Sequence, residues 1–261
     1  MRRCKTDQAD ARAILEAFRN EEIHPVPVKS VPQQTLTALH RLRSQWLSER
    51  IARLNTVRGL LREFGVFLPV GAHHVVPRVW ELVEDADSGL PEALRAPLAE
   101  ACLEIRDLEQ RVQTCERQLQ ALAKQTPQVQ RLKTIPGIGL LTATALVAFV
   151  GDVQRFPTAR HFSSYLGLTP RERSSGQVRR LGRISKRGNP YLRTLLVQGA
   201  RSVLWSAKRK ESPDRLQAWA LRSEKALGQN KAAVAVANKL ARIAWALWRH
   251  EERYQSQPCA A

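Results

Sequence analysis

Two amphipathic runs of equal length constrain this chain more than any other feature. In the first, apolar residues fall at Leu36, Leu39, Leu42, Trp46, Leu47, Ile51, Leu54, Val57, Leu61 and Phe64. In the second they fall at Leu94, Leu98, Cys102, Ile105, Leu108, Val112, Cys115, Leu119 and Leu122. Steps of three and four mark one apolar helix face, and the second run steps close to the heptad period of a coiled-coil seam. Each run, 36–64 and 94–122, covers 29 residues, roughly 43 Å of helix. The two can therefore lie antiparallel along their whole length, joined by residues 65–89. The same spacing also suits two helices of a bundle within one core, and in either case the chain is mainly α.

With 261 residues the chain can bury a core and form more than one unit. Its 42 Lys and Arg against 24 Asp and Glu give a formal net charge of +18 and a pI near 10.8, which favours a polyanionic partner, nucleic acid first. Cys4, Cys102, Cys115 and Cys259 are too dispersed for a zinc pair or a disulfide framework and read as reduced thiols. His73 and His74 stand in the connecting segment with no Cys or acidic partner at ligand spacing, and read as loop histidines. No leader pattern and no apolar run of membrane-spanning length occurs, so the expectation is a soluble, cytoplasmic, nucleoid-associated protein with no membrane partner.

Residues 5–22 read as a helix with Ala9, Ala13, Ile14, Ala17 and Phe18 on one face, broken by "HPVPVKSVP", a linker or short edge strand. "TIPGIGLLTATALVAFVGD" puts Gly137 and Gly139 before an apolar helix, Leu140 to Val150. That arrangement resembles the hairpin of a helix-hairpin-helix element, whose glycines let backbone N–H groups approach a phosphate; a plain tight turn between buried helices is the alternative. "NKAAVAVANKLARIAWALWRHEERY" reads as a packing helix.

The densest charge lies in "RERSSGQVRRLGRISKRGNPYLR", residues 171–193, with eight Lys or Arg against one Glu. Gly176, Gly182 and Gly188 prevent one continuous helix, so a flexible or irregular cationic platform is expected. Arg171, Arg173, Arg179, Arg180, Arg183, Lys186 and Arg187 are the candidate phosphate-binding groups, alongside the backbone at Gly137 and Gly139. Ser174 and Ser175 stand inside this field, where arginines could stabilise a phosphoryl transition state; His161 is the nearest histidine in sequence. "KTDQADA" places Asp7 and Asp10 on one face of a helical turn. They suit half of a metal site or an acidic first turn favoured by the helix dipole.

Taken together, "KTDQADA", "GLTPRERSSGQVRRLGRISKRGNPYLRTLLVQGARSVL" and "ANKLARIAW" closely resemble the DEDD-type transposases of insertion-sequence family one-ten, the bridge-RNA-guided recombinases. The likeness covers nearly the whole chain. It implies an N-terminal RuvC-like α/β nuclease domain of which residues 1–30 are the C-terminal remnant, a coiled-coil hairpin over 31–128, a helical serine-bearing transposase domain over 129–250, and a tail over 251–261. It implies four Mg2+-binding acids, of which Asp7 and Asp10 match the last two, while the first Asp and the Glu would precede Met1. It selects Ser175 as nucleophile, with Ser174 the fallback.

The expected function is a DNA transposase and site-specific recombinase, truncated and inactive as written. The alternative is a non-catalytic DNA- or RNA-binding fragment that co-assembles with the full-length transposase or inhibits it. A structural helix-hairpin-helix protein is a third reading. The implied partners are DNA, a structured guide RNA and further copies of the chain, dimer or tetramer, through the coiled coil.

Overall fold

A computed structural model describes residues 6–21, 23 and 26–256. Among these the chain forms ten α-helices and one two-stranded sheet, so the mainly α expectation holds. Helix α1 (Asp7–Arg19) is capped by Thr6, whose Oγ1 accepts from the Ala9 amide at 3.2 Å. None of its residues is buried, and Ile14, Leu15 and Phe18 are exposed. No strand forms among the described residues between α1 and α2.

Helix α2 (Val31–Glu63) starts five residues before the apolar run. Its start signal is Ser30 and Gln33, which cap each other's backbone amides as a capping box. Helix α4 (Glu92–Gln125) returns alongside it. The antiparallel register is visible in three ion pairs: Arg43–Glu116 at 2.6 Å, Arg50–Glu109 at 2.5 Å and Arg53–Glu104 at 2.6 Å. One heptad up α2, from Arg43 to Arg50, is one heptad down α4, from Glu116 to Glu109.

The connecting segment is not merely a loop. Helix α3 (Val75–Glu84) folds back and buries Val75, Val79 and Leu82 against Leu54, Val57 and Leu61 of α2 and Leu98, Cys102 and Ile105 of α4. His73 and His74 sit in the single 3-10 turn before it. Two arginines fasten this distal end: Arg95 donates to the Val83 and Asp85 carbonyls at 2.7 and 2.8 Å, and Arg58 to those of Pro69 and Gly71 at 2.8 and 2.7 Å. Such side-chain donors satisfy carbonyls that a helix end or a loop leaves open.

The remaining elements build a second core. They are α5 (Pro127–Leu132), α6 (Leu140–Val150), α7 (Ala159–Tyr165), β1 (Pro170–Glu172), β2 (Leu181–Ile184), α8 (Pro190–Arg209), α9 (Arg215–Leu227) and α10 (Gln229–Arg249). Leu146, Phe162, Leu192, Leu196 and Leu240 are fully enclosed there, and Leu36, Cys115 and Leu119 bring the near ends of α2 and α4 into the same core. Helix α6 is buried on nearly every side, as an all-apolar helix requires. Cys102 and Cys115 are buried free thiols; Cys4 and Cys259 lie outside the described residues. The segment after α10 returns to the body: Glu251 pairs with Arg131 at 2.9 Å, and the Tyr254 amide donates to Thr134 Oγ1 at 2.9 Å.

Candidate nucleic-acid interface

The arginine-rich segment is a β-hairpin, which corrects the expected irregular platform. Its glycines exclude a helix but do not leave the backbone unpaired. Pro170 stands opposite Ile184 and Glu172 opposite Leu181, with an irregularity in register between them. Beyond the strands the pairing continues: the Arg173 amide donates to the Arg180 carbonyl at 2.9 Å, and Ser175 and Val178 exchange both backbone bonds at 3.2 Å. That closes a two-residue turn on Gly176 and Gln177, in which Gly176 takes a φ of +58° that suits glycine.

The pairing separates the two serines. Ser174 Oγ donates to Glu172 Oε1 at 2.7 Å and accepts the Arg180 amide at 3.1 Å. Ser175, next to the turn, is exposed. Its hydroxyl has no hydrogen-bond partner among the described residues.

The base of the hairpin is fixed. The Ser185 amide donates to the Thr169 carbonyl at 2.8 Å and that of Lys186 to the Gly167 carbonyl at 3.2 Å. Gly167 and Gly188 have positive φ, and a Cβ on either would collide with a carbonyl, that of Arg187 or of Tyr165. Asn189 then caps α8, its Oδ1 accepting from the Tyr191 amide at 2.9 Å. The base of the hairpin is thus held between α7 and α8, while residues 171–183 are all exposed.

All seven candidate cations are exposed. Arg171 donates to the Ser185 carbonyl at 3.1 Å, and Arg179 pairs with Glu172 at 3.3 Å. The surrounding unit shares this sign. Residues 129–250 hold 23 Lys and Arg against five Asp and Glu, whereas residues 31–128 hold twelve of each. The excess charge of the molecule therefore lies on the unit that carries the hairpin, and the paired helices are neutral.

Gly137 and Gly139 part company in the structure. Gly137 (φ +81°) lies face to face with Gly199 of α8, where a Cβ on either would meet the other's carbonyl. Gly139 is exposed, with open space around it, at the N-terminus of α6. Asp7 and Asp10 occupy the exposed first turn of α1, and among the described residues no group of three or more His, Cys, Asp or Glu could hold a metal ion. Two carboxylates fall short of the octahedral oxygen shell of Mg2+. The described residues alone do not fit a closed Mg2+ site, and no chemical step is derived through one.

A buried polar group escaped the sequence reading. His40, 1 % exposed, bridges three helices: its Nδ1 lies 3.0 Å from the Tyr191 hydroxyl of α8 and its Nε2 3.0 Å from Thr144 Oγ1 of α6. Thr144 already donates to the Leu140 carbonyl at 2.7 Å, so it accepts from Nε2–H and Tyr191 donates to Nδ1. Burial first, and the nearby Arg43 charge second, push the His40 pKa down to about 4. Burial pushes that of Tyr191 up. The only signal in the sequence is a histidine on the apolar face of a long helix.

Comparison with known proteins follows the same outline. A family model described as "Transposase IS116/IS110/IS902 family" matches residues 129–217, from α5 through the hairpin to the start of α9. A "Probable family 20 transposase" of Pseudomonas aeruginosa is 41% identical over 255 residues, 96% of this chain and 74% of that protein. The transposase for insertion sequence element IS1111A of Coxiella burnetii is 38% identical over 251 residues, 96% of this chain and 68% of that protein. The transposase for insertion sequence element IS1328 of Yersinia enterocolitica is 36% identical over 241 residues, 92% of this chain and 71% of that protein. These likenesses take in the neutral helical pair as well as the charged unit.

Proposed function

The chain belongs to the IS116/IS110/IS902 family of insertion-sequence transposases, and on that premise we propose, in place of the inactivity expected from the sequence, that it cuts and rejoins DNA with Ser175 as nucleophile. The observation that carries this is the asymmetry of the serine pair: Ser174 is held in two hydrogen bonds and Ser175 is open, on a hairpin anchored at its base and flanked by cations. In the proposed step, Ser175 Oγ forms a bond to the scissile phosphorus while the bond from that phosphorus to one deoxyribose oxygen breaks. The serine proton passes to solvent and the leaving oxygen takes one up. The phosphodiester is conserved as a serine ester, so rejoining is the reverse attack by a deoxyribose hydroxyl.

Arg173, Arg180 and Arg183 are the groups proposed to hold the phosphate oxygens as charge develops, with Arg171, Arg179, Lys186 and Arg187 on flanking phosphates. The open amide end of α6 at Gly139 is a further phosphate contact in this reading, with Gly137 shaping the turn before it. Asp7 and Asp10 remain proposed metal-facing acids that would contribute part of a Mg2+ shell. A structured guide RNA, implied by the resemblance, is the proposed second nucleic acid. The charge balance of residues 31–128 supports the paired helices as the contact between copies of the chain, since a neutral surface adds no repulsion between subunits.

The test is covalent capture. Protein mixed with DNA spanning both ends of its coding element should form a protein–DNA adduct that survives denaturing electrophoresis. Ser175→Ala should abolish it and Ser174→Ala should retain it. An adduct that persists in Ser175→Ala rejects Ser175 as nucleophile.

A further inference from the structure

A groove of about 820 Å³ runs between the foot of the hairpin and α10. One wall is Leu168, Pro170 and Ile184; the other is α10, with Trp219 of α9 beside it. Ala233, Val236, Ala237, Leu240 and Ala244 of α10 face the core, as expected of a packing helix. The opposite face was not legible as anything in particular. It presents Lys231, Lys239 and Arg242 along the groove, spaced by eight and three residues, with Val234 between the first two and Ile243 after the third.

No Asp or Glu lines this groove. The Lys239 ammonium stands 4.0 Å from the centre of the Trp219 ring. Burial first, then repulsion by Arg215, Arg242 and Arg222, pushes its pKa down. Crowding Lys231, Lys239 and Arg242 along a groove with no carboxylate in its lining destabilises a free protein, and a polyanion relieves it. Charge complementarity alone would admit a duplex. The apolar part of the lining, Leu168, Pro170, Ile184, Val234 and Ile243, argues otherwise, because duplex DNA presents phosphates and keeps its base faces stacked inside, whereas an unpaired strand offers phosphates and flat apolar faces together. From Lys231 to Arg242 α10 rises roughly 16 Å, room for a few nucleotides, and the wall formed by Pro170 and Ile184 is the foot of the strands that carry Ser175.

We infer that this groove binds single-stranded DNA, the unpaired strand beside the point of cleavage, with its phosphates on Lys231, Lys239 and Arg242 and its bases on the apolar lining beside Trp219. The inference rests on the reading that the chain acts on DNA. It adds a site outside the hairpin and a substrate form, the unpaired strand.

The experiment measures binding of one sequence as single-stranded DNA, single-stranded RNA and duplex DNA to the full chain, unaltered and as Lys231→Glu/Arg242→Glu. Both side chains are exposed, and a thermal melt establishes that the variant is folded; Lys231→Ala/Arg242→Ala replaces it if it is not. The expected result is a loss of at least about tenfold for single-stranded DNA and under about threefold for the duplex. Ultraviolet crosslinking of 5-iodouracil-substituted single-stranded DNA should also label the peptide containing Trp219.

An unchanged affinity for single-stranded DNA, an equal loss for all three ligands, or a tenfold loss confined to RNA overturns the inference. If Arg179→Glu/Arg180→Glu weakens DNA binding and the groove variant does not, only the groove fails. If the unaltered protein binds none of the three, the DNA reading fails with it.

Discussion

A hydroxyl that already donates to a carboxylate and accepts from a backbone amide has to break both bonds before it can attack anything. Ser174 is in that position and Ser175 is not, although the sequence shows the two side by side with nothing to divide them. The division comes from strand pairing, which periodicity could not reveal in a segment broken by three glycines. Gly137 was legible as a permissive residue, but its partner Gly199 was not, because nothing local marks a contact between a turn and a distant helix. Gly137→Ala should lower stability by about 2 kcal/mol, combining a strained positive φ with a clash against a carbonyl. Gly139→Ala, in open space at an ordinary φ, should stay within about 0.5 kcal/mol; chemical denaturation of both variants checks the contrast. His40 sets a pH dependence. Its folded pKa, near 4, lies below its unfolded value, so protons bind the unfolded chain first. Its contribution is complete above about pH 6.5 and is lost as the pH falls towards 4, up to about 3 kcal/mol. Urea melts at pH 7 and pH 4.5 should show a larger loss for the unaltered protein than for His40→Gln.

Among the elements, the long helices were the most legible, because a stripe that persists for eight turns has few other solutions. Their antiparallel pairing was suggested by equal length alone, since 25 connecting residues reach roughly 80 Å when extended and could also carry the chain back for a parallel return. Helix α3 was missed: ten residues with an internal Pro77 show too little period to stand out, and its order comes from packing on the distal core. The start of α2 was missed as well, since Ser30 and Gln33 signal a helix only when read as a reciprocal pair. Between its two cores the helical pair is laced by ion pairs with partly exposed partners, Arg50 at 22% and Glu109 at 41%. Each such pair should contribute less than about 1 kcal/mol. Glu109→Ala should accordingly cost little, Glu109→Arg more, and Arg50→Glu/Glu109→Arg should recover most of that loss. A double-mutant cycle by thermal melting measures the coupling, and a coupling of zero would mean that register is set by the apolar stripe alone.

For the molecule as a whole, a net charge of +18 says nothing of how unevenly that charge is placed; the unevenness emerges once the boundary between neutral helices and charged unit is known. Binding to duplex DNA should weaken steeply with salt, by about 0.9 in logarithmic slope for each phosphate neutralised. Removing two cations by Arg179→Ala/Arg180→Ala should flatten that slope by about two, measured by titration across a range of salt concentrations. No helix among the described residues is long and apolar enough to cross a membrane. The neutral helical pair extends roughly 35 Å beyond His40, anchored in the charged body at one end only. A particle built this way has a strongly offset centre of charge, so the field of a polyanion exerts a torque on it as well as a pull. In such a field the charged unit would turn towards the polyanion and the neutral helical pair away from it, an orientation set by charge before any contact forms.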